Sequence, residues 1–274
     1  MTTEIDGATE HEIKIQLSST TQVKLFASMR SQELAHFADT LKGMFGLADY
    51  TVNPENRKNV TDDYYDTSSL TLFRDHSLLR VRRDGGNPKI VAKSMLSQAQ
   101  GEFKRSEYQQ ESSEPALQSE IVNNFHTMAL KAFPDLTSAQ FEHVLKVTNE
   151  RHNYLVEKPG EKYRLSLDVY FFTNPKTGRT SNQLFEVEVE ALTHLASQKI
   201  GNIKGNLARA LGRFSYSHDS KFETGVKRMR IDRPNWSQWI FEAGQTGALS
   251  WTSLIVGIAG LLVGVIGTWA TMTD

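Results

Sequence analysis

Glu10, Glu12 and Lys14 alternate along the stretch EHEIK. Successive side chains of a β-strand point to opposite faces, so these three share one face and His11 and Ile13 share the other. Two carboxylates and an ammonium on one face are costly unless that face is wet or has chemistry to do. The pattern recurs downstream. LLRVRRD sets Arg80 and Arg82 against Leu79 and Val81, and KIVAKS sets Lys89, Val91 and Lys93 against Ile90 and Ala92. FKRSEYQQE groups Arg105, Glu107, Gln109 and Glu111 on one face. RLSLDVYF groups Arg164, Ser166 and Asp168, and FEVEVEAL groups Glu186, Glu188 and Glu190. DSKFETG reads as a last strand-like segment with Lys221 opposite Phe222.

Arginines and lysines on several walls can neutralise and fix a polyanion, with bidentate contacts from arginine to phosphate. Clustered Glu and Asp with no His or Cys beside them suit a hard cation, Mg²⁺ or Mn²⁺. The two sets facing each other describe metal-dependent phosphoryl transfer. A metal there polarises the phosphoryl group and orients an attacking water.

Such residues need elements to aim them. The charges are sorted by sign, although like charges two residues apart on a strand lie only about 7 Å from each other and repel. A stabilised water-facing surface intersperses signs instead. Helical patterns fall at roughly 31–45, 115–132, 137–146 and 193–211. In the first, Leu34, Phe37, Ala38, Leu41 and Phe45 follow the 3.6 period, Ser31 can cap it and Gly46 can end it. Helices require the apolar strand faces to pack on, so the charged faces must look inward. An α+β fold results: a sheet closed into a β-barrel with a polar interior and helices outside.

The chain of 274 residues has a net charge of −1, so bulk charge predicts no nucleic-acid partner. It contains no cysteine, which excludes disulfides and thiolate metal sites and is compatible with the cytoplasm. The polar, acidic N-terminus does not read as a signal peptide. The C-terminal stretch Leu249–Met272 carries no charge, and about 20 apolar residues span a bilayer core. Trp251 and Trp269 sit near its ends, and Lys227, Arg228, Arg230 and Arg233 precede it. The expectation is a single-pass tail anchor with the rest of the chain in the cytoplasm. Gly257, Gly260, Gly264 and Gly267 offer a helix face for a homodimer. Trp236, Trp239, Ile240 and Phe241 suggest a segment lying at the membrane surface. The expected divisions are 1–228 for the barrel, 229–248 for a juxtamembrane linker and 249–272 for a transmembrane helix.

The motifs, in order, resemble the CYTH family, also called the triphosphate tunnel metalloenzymes. Glu10, Glu12 and Lys14 match its E-x-E-x-K signature, and YYDT at Tyr64–Thr67 looks like its YYDT segment. LLRVRR resembles its LRxR strand, with Lys93 as the lysine that follows. Arg105 and Glu107 resemble its R-x-E, and Asp168 its late-strand aspartate. Glu188 and Glu190 match its E-x-E, and Ser220, Lys221 and Gly225 its SK…G ending. The resemblance implies a tunnel of about eight antiparallel strands. It also implies metal at Glu10, Glu12, Asp168, Glu188 and Glu190, and triphosphate at Lys14, Arg80, Arg82, Lys93, Arg105, Arg151 and Lys221. Glu10, Glu12, Lys14 and Glu188 are then the catalytic set. Here Lys89-Ile-Val-Ala-Lys93 replaces the family's usual approach to the phosphate lysine, so either lysine can serve. Lys146 competes with Arg151, and Glu107 and Glu186 read equally as partners in lumen salt bridges.

Family members include inorganic triphosphatases, thiamine triphosphatases, adenylyl cyclases, RNA triphosphatases and polyphosphate polymerases. Tyr65, Tyr108, Tyr154 and Tyr170 are the candidates for holding a base or thiazolium ring. Hydrolysis of inorganic triphosphate makes the fewest demands. A cyclase, a thiamine triphosphatase and a polymerase are the enzymatic alternatives, and a membrane-tethered polyphosphate or nucleotide sensor is the non-enzymatic one.

Overall fold

The computed structural model of the protein describes residues 4–17, 19–99, 102–111, 125–129, 131–136, 140–211 and 214–233. The chain divides into two units, Met1–Met229 and Arg230–Asp274. In the first unit, alternating charged and apolar residues give long strands: β1 Glu4–Leu17, β2 Thr51–Thr67, β3 Leu78–Arg83, β4 Lys89–Ala99 and β5 Glu102–Glu111. They are followed by β6 Phe141–Lys158, β7 Glu161–Thr173, β8 Leu184–Ala191 and a short β9 Phe214–Tyr216. The sheet order is β5-β4-β3-β2-β6-β7-β8-β1-β9, and β1 also pairs with β5. The first eight strands therefore close on themselves, all antiparallel, with β9 attached to the end of β1. Closure removes the sheet edges and encloses one face of every strand.

The outward faces carry the apolar residues. Ile13, Ile15, Leu165, Leu167, Val187 and Val189 pack under helices Ser19–Ser31, Leu34–Met44 and Ile200–Leu211, which contribute Leu25, Phe37, Leu41, Ile203 and Leu207. On the other side Leu79, Val81, Ile90 and Ala92 pack against Leu72, Met128 and Ala129. Burial of each such Leu or Ile contributes about 1.5–3 kcal/mol, which directs the apolar faces outward under the helices and leaves the charged faces to the lumen.

Three expectations change, and one helix is added. Residues 141–146 are the start of strand β6 rather than a helix. Their apolar positions fit a short helical stripe, but a short apolar run cannot separate helix from strand, and pairing with both β2 and β7 decides it. The helix Ser19–Ser31 had no strong stripe in the sequence, yet it buries Leu25, Phe26 and Met29. The expected helix at 31–45 is Leu34–Met44 with Glu33 at its N-cap, so Ser31 does not cap it. Gly46 does follow its end, at φ +64, where glycine is favoured. Lys221 does not lie on a strand. It is the first residue of helix Lys221–Arg228, which opens with a capping box between Ser220 and Glu223. Of the expected 115–132 helix, residues 125–129 and 131–132 are helical.

The aspartate of the YYDT motif is architectural. The Asp66 carboxylate accepts from the backbone N–H groups of Thr67, Leu72 and Phe73 at 2.7, 2.9 and 2.9 Å. It thereby fixes the turn between β2 and β3 that delivers Arg80 and Arg82 to the lumen.

The helix Lys221–Arg228 fills one end of the barrel. Phe222 stacks on Tyr64 with ring centroids 5.1 Å apart and meets Phe73 edge-on at 6.4 Å. Leu145 and Phe172, on the lumen faces of β6 and β7, press against Gly225; a Cβ there would overlap Leu145 Cδ2 and lie 2.8 Å from Phe172 Cδ1.

Among the described residues no helix is long and apolar enough to cross a membrane. The expected transmembrane helix 249–272, its glycine face and the juxtamembrane tryptophans lie outside the described residues.

Candidate active site

The lumen holds a cavity of about 460 Å³. Its wall carries Glu10, Glu12, Lys14, Arg80, Arg82, Lys93, Arg105, Arg151, Glu188, Glu190 and Lys221. Asp168 lies at 0 % exposure directly behind, bonded to two of these cations. The residues expected to hold metal and triphosphate are thus in or against one cavity. Lys93 lines the cavity, whereas Lys89 does not and pairs with Glu111 at 3.3 Å. Arg151 lines it and Lys146 does not.

The densest part lies where Lys221 enters from its helix. Its Nζ donates to Asp168 Oδ2 at 2.8 Å, to Glu188 Oε1 at 2.6 Å, and to Glu186. Arg151 reaches the same group from β6, bidentate on Asp168 at 2.7 and 2.5 Å and on Glu188 Oε2 at 2.5 Å. Lys14 completes it from β1, 2.6 Å from Glu188. Burial raises carboxyl pKa values, but Lys14, Lys221 and Arg151 override it and hold Glu188 well below its ordinary range. Arg151 and Lys221 likewise hold Asp168 down against burial. Glu186 differs: burial pushes it up to about 7 against the pull of Lys221 and Lys14. Burial disfavours the Lys221 ammonium, yet Asp168, Glu186 and Glu188 keep its pKa well above ordinary.

Around the wall, Glu12 accepts from Arg105 at 2.7 Å, and the Arg105 guanidinium rests over the Phe103 ring at 4.6 Å. Glu10 accepts from Lys93 at 2.6 Å, and Lys93 also pairs with Glu107 at 3.1 Å. Glu190 pairs with Arg164 at 3.2 Å, and burial raises its pKa, helped by Glu10. Arg80 and Arg82 share Asp62.

Two kinds of ligand fit. Arg105 Nε and Nη2 and Arg80 Nε are buried with no hydrogen-bond partner among the described residues, and guanidinium donors in that position suit phosphoryl oxygens. Asp168, Glu186 and Glu188 place ligand oxygens within 4.8 Å of one another, and Glu10 Oε2 is buried without a partner. A donor set made only of carboxylate oxygen fits a hard divalent cation. Of the acids expected to hold metal, this close group contains Asp168 and Glu188, and Glu186 joins them. Glu10, Glu12 and Glu190 lie elsewhere on the same wall.

None of the four candidate tyrosines offers an open ring to the cavity. Tyr154 belongs to the outer core, while Tyr65 and Tyr108 pack with the second outer cluster. Tyr170 lies under Lys221, with Nζ 5.1 Å from its ring. The cavity's own aromatic residue, Tyr64, is covered by Phe222. Sequence reasoning did not single out Asp62 or Phe103. Both were readable by parity, Asp62 from Tyr64 and Phe103 from Arg105.

A closed antiparallel tunnel whose ion-paired lumen can take both a polyanion and a hard cation defines a class of protein. A family model for the CYTH domain matches residues 8–222, and the chain belongs to that family. No curated protein matches the sequence significantly. Among solved structures it is similar to a candidate adenylyl cyclase from Hippeastrum, described as having a dominant triphosphatase activity. That match has 16% identity over 80% of this chain and 96% of that one, with a TM-score of 0.48. A protein from Pyrococcus horikoshii OT3 has 18% identity over 80% and 99%, at 0.47. An RNA triphosphatase from S. pombe has 13% identity over 84% and 86%, at 0.32.

Proposed function

We propose that the protein is a metal-dependent hydrolase that splits inorganic triphosphate into pyrophosphate and phosphate. The observation that carries this reading is one cavity holding buried guanidinium donors and a close carboxylate group, with no open aromatic face for a base or thiazolium ring among the described residues. Lys14, Arg80, Arg82, Lys93, Arg105, Arg151 and Lys221 bind and orient the phosphoryl groups. Glu10, Glu12, Asp168, Glu188 and Glu190, joined by Glu186, hold Mg²⁺ or Mn²⁺. Bound there, such an ion supplies charge neutralisation and activation of the attacking water. Lys14 remains an ammonium, because Glu12 and Glu188 raise its pKa against burial, so it stabilises charge on the phosphoryl oxygens and does not act as a base.

The purified protein is expected to release phosphate from tripolyphosphate with Mg²⁺ or Mn²⁺ and to fall to background with EDTA. Phosphate and cyclic AMP release are measured in parallel over tripolyphosphate, ATP and thiamine triphosphate. Cyclic AMP from ATP would replace hydrolysis by the cyclase reading. Tight binding of all three without turnover would leave a sensor.

The membrane reading of the tail belongs to the same proposal: residues 249–272 anchor the protein, with the barrel on the cytoplasmic side and the glycine face available for pairing. Its support is the uncharged stretch with flanking tryptophans and preceding basic residues. The full chain is expected to sediment with membranes, and a chain ending at Ala243 to stay in the supernatant. Co-sedimentation of the shortened chain would refute the anchor.

A further inference from the structure

Asp62 stands out as an acid in the basic part of the lumen. It is 2 % exposed and sits on β2 directly across from Arg82 on β3, with Arg80 opposite Tyr64 on the same face. Its Oδ1 accepts from Arg82 Nε at 2.8 Å, and its Oδ2 from Arg82 Nη2 at 2.8 Å and Arg80 Nη1 at 3.3 Å. Tyr64 Oη accepts from the same Arg80 nitrogen at 3.3 Å. Both oxygens are therefore spent on two guanidinium groups. Burial would raise the Asp62 pKa, but Arg80 and Arg82 override it, and the group stays ionised.

We infer that Asp62 is the positioning residue for Arg80 and Arg82, setting the direction from which both meet a phosphoryl group; this rests on the triphosphate reading above. Two unpaired arginines side by side repel, and each has many rotamers. A shared carboxylate removes both problems. It grips the Nε/Nη2 edge of Arg82 and one nitrogen of Arg80, and it leaves Arg80 Nε without an acceptor among the described residues. A carboxylate also repels an anionic ligand, so its contribution lies in geometry and not in affinity. That separates two quantities that a merely structural residue would move together.

The test is Asp62→Asn in the full chain, with kcat and the dissociation constant for tripolyphosphate both measured. Removing the charge is expected to leave binding unchanged or tighter, while kcat falls on the order of 10- to 100-fold because the arginines lose their alignment. An unchanged kcat, or binding weakened in proportion to kcat, overturns the inference. If the Asn variant does not fold, Asp62→Glu serves, since it keeps the charge and displaces it: lower kcat with unchanged binding supports the role, and wild-type kcat refutes it. A second arm compares kcat of Arg82→Gln with that of the double variant Arg82→Gln, Asp62→Asn: if Asp62 acts through the arginines, its kcat loss is smaller in the Arg82→Gln background, and fully additive losses overturn the role. A crystal structure of Asp62→Asn needs no turnover: displaced Arg80 and Arg82 guanidinium groups support the role and unmoved ones overturn it, so a wild-type protein that binds but does not hydrolyse would sink the hydrolase reading and still leave the role of Asp62 decided.

Discussion

Glu188→Gln is expected to lower metal-dependent turnover of triphosphate by at least about a hundredfold. Among the described residues, Glu188 is the one carboxylate that meets Lys14, Lys221 and Arg151 together, at 2.6, 2.6 and 2.5 Å. It also belongs to the close acidic group with Asp168 and Glu186. The substitution removes a charge proposed to hold the metal and leaves three buried cations sharing fewer acids. Breaking one side of a buried ion pair costs about 3–5 kcal/mol, so a lower melting temperature is also expected. The two losses separate on adding tripolyphosphate. An anion that takes the place of the missing carboxylate should restore much of the melting temperature, by binding linkage, and none of the turnover. Phosphate release within tenfold of wild type would remove Glu188 from the catalytic set.

Gly225→Ala is the second large effect expected. The added methyl would overlap Leu145 Cδ2 and approach Phe172 Cδ1 to 2.8 Å, at the point where the helix seats in the end of the barrel. Overpacking of this kind costs about 1–3 kcal/mol, visible as a lower urea midpoint with an unchanged slope. Lys221 opens the same helix, so the displacement reaches the lumen as well. Turnover should fall together with the midpoint. A variant with wild-type midpoint and wild-type rate would mean that the helix has room to spare.

Much of the lumen was legible because a strand's period of two is rigid. Once Glu12, Arg80, Arg105, Asp168 and Glu188 were placed on charged faces, closure of the sheet left them one place to go. What parity does not carry is register. Glu186 was visible on its strand, but its grouping with Asp168 follows from the pairing of Asp168 with Glu186 and of Ser166 with Glu188 between β7 and β8. Asp62 and Asp63 are adjacent acids facing opposite ways: Asp62 meets Arg80 and Arg82, while Asp63 meets Arg83. The misreading of Lys221 has a different origin. Ser220 and Glu223 spell a capping box, a helix-start signal outweighed by the alternation of Lys221 and Phe222. At residues 141–146 the local pattern suited either element, and strand pairing on both sides settled it.

The ion pairs of the lumen make it behave as an ion exchanger. Lys14, Lys93, Arg105, Arg151 and Lys221 each already hold a carboxylate counterion, and Asp168, Glu186 and Glu188 together already hold the Lys221 ammonium. A phosphoryl oxygen that takes one of these paired cations would displace a carboxylate, and a divalent cation that takes this acidic group would displace an ammonium. Each exchange alone strands the ion it releases, whereas the two together let the freed ammonium and guanidinium groups pair with the phosphates as the freed carboxylates take the metal. The free energy of loading is then a difference between pairings and not the full attraction of bare charges. Metal and polyphosphate should bind more tightly together than either does alone, by reciprocal coupling between two sites in one wall.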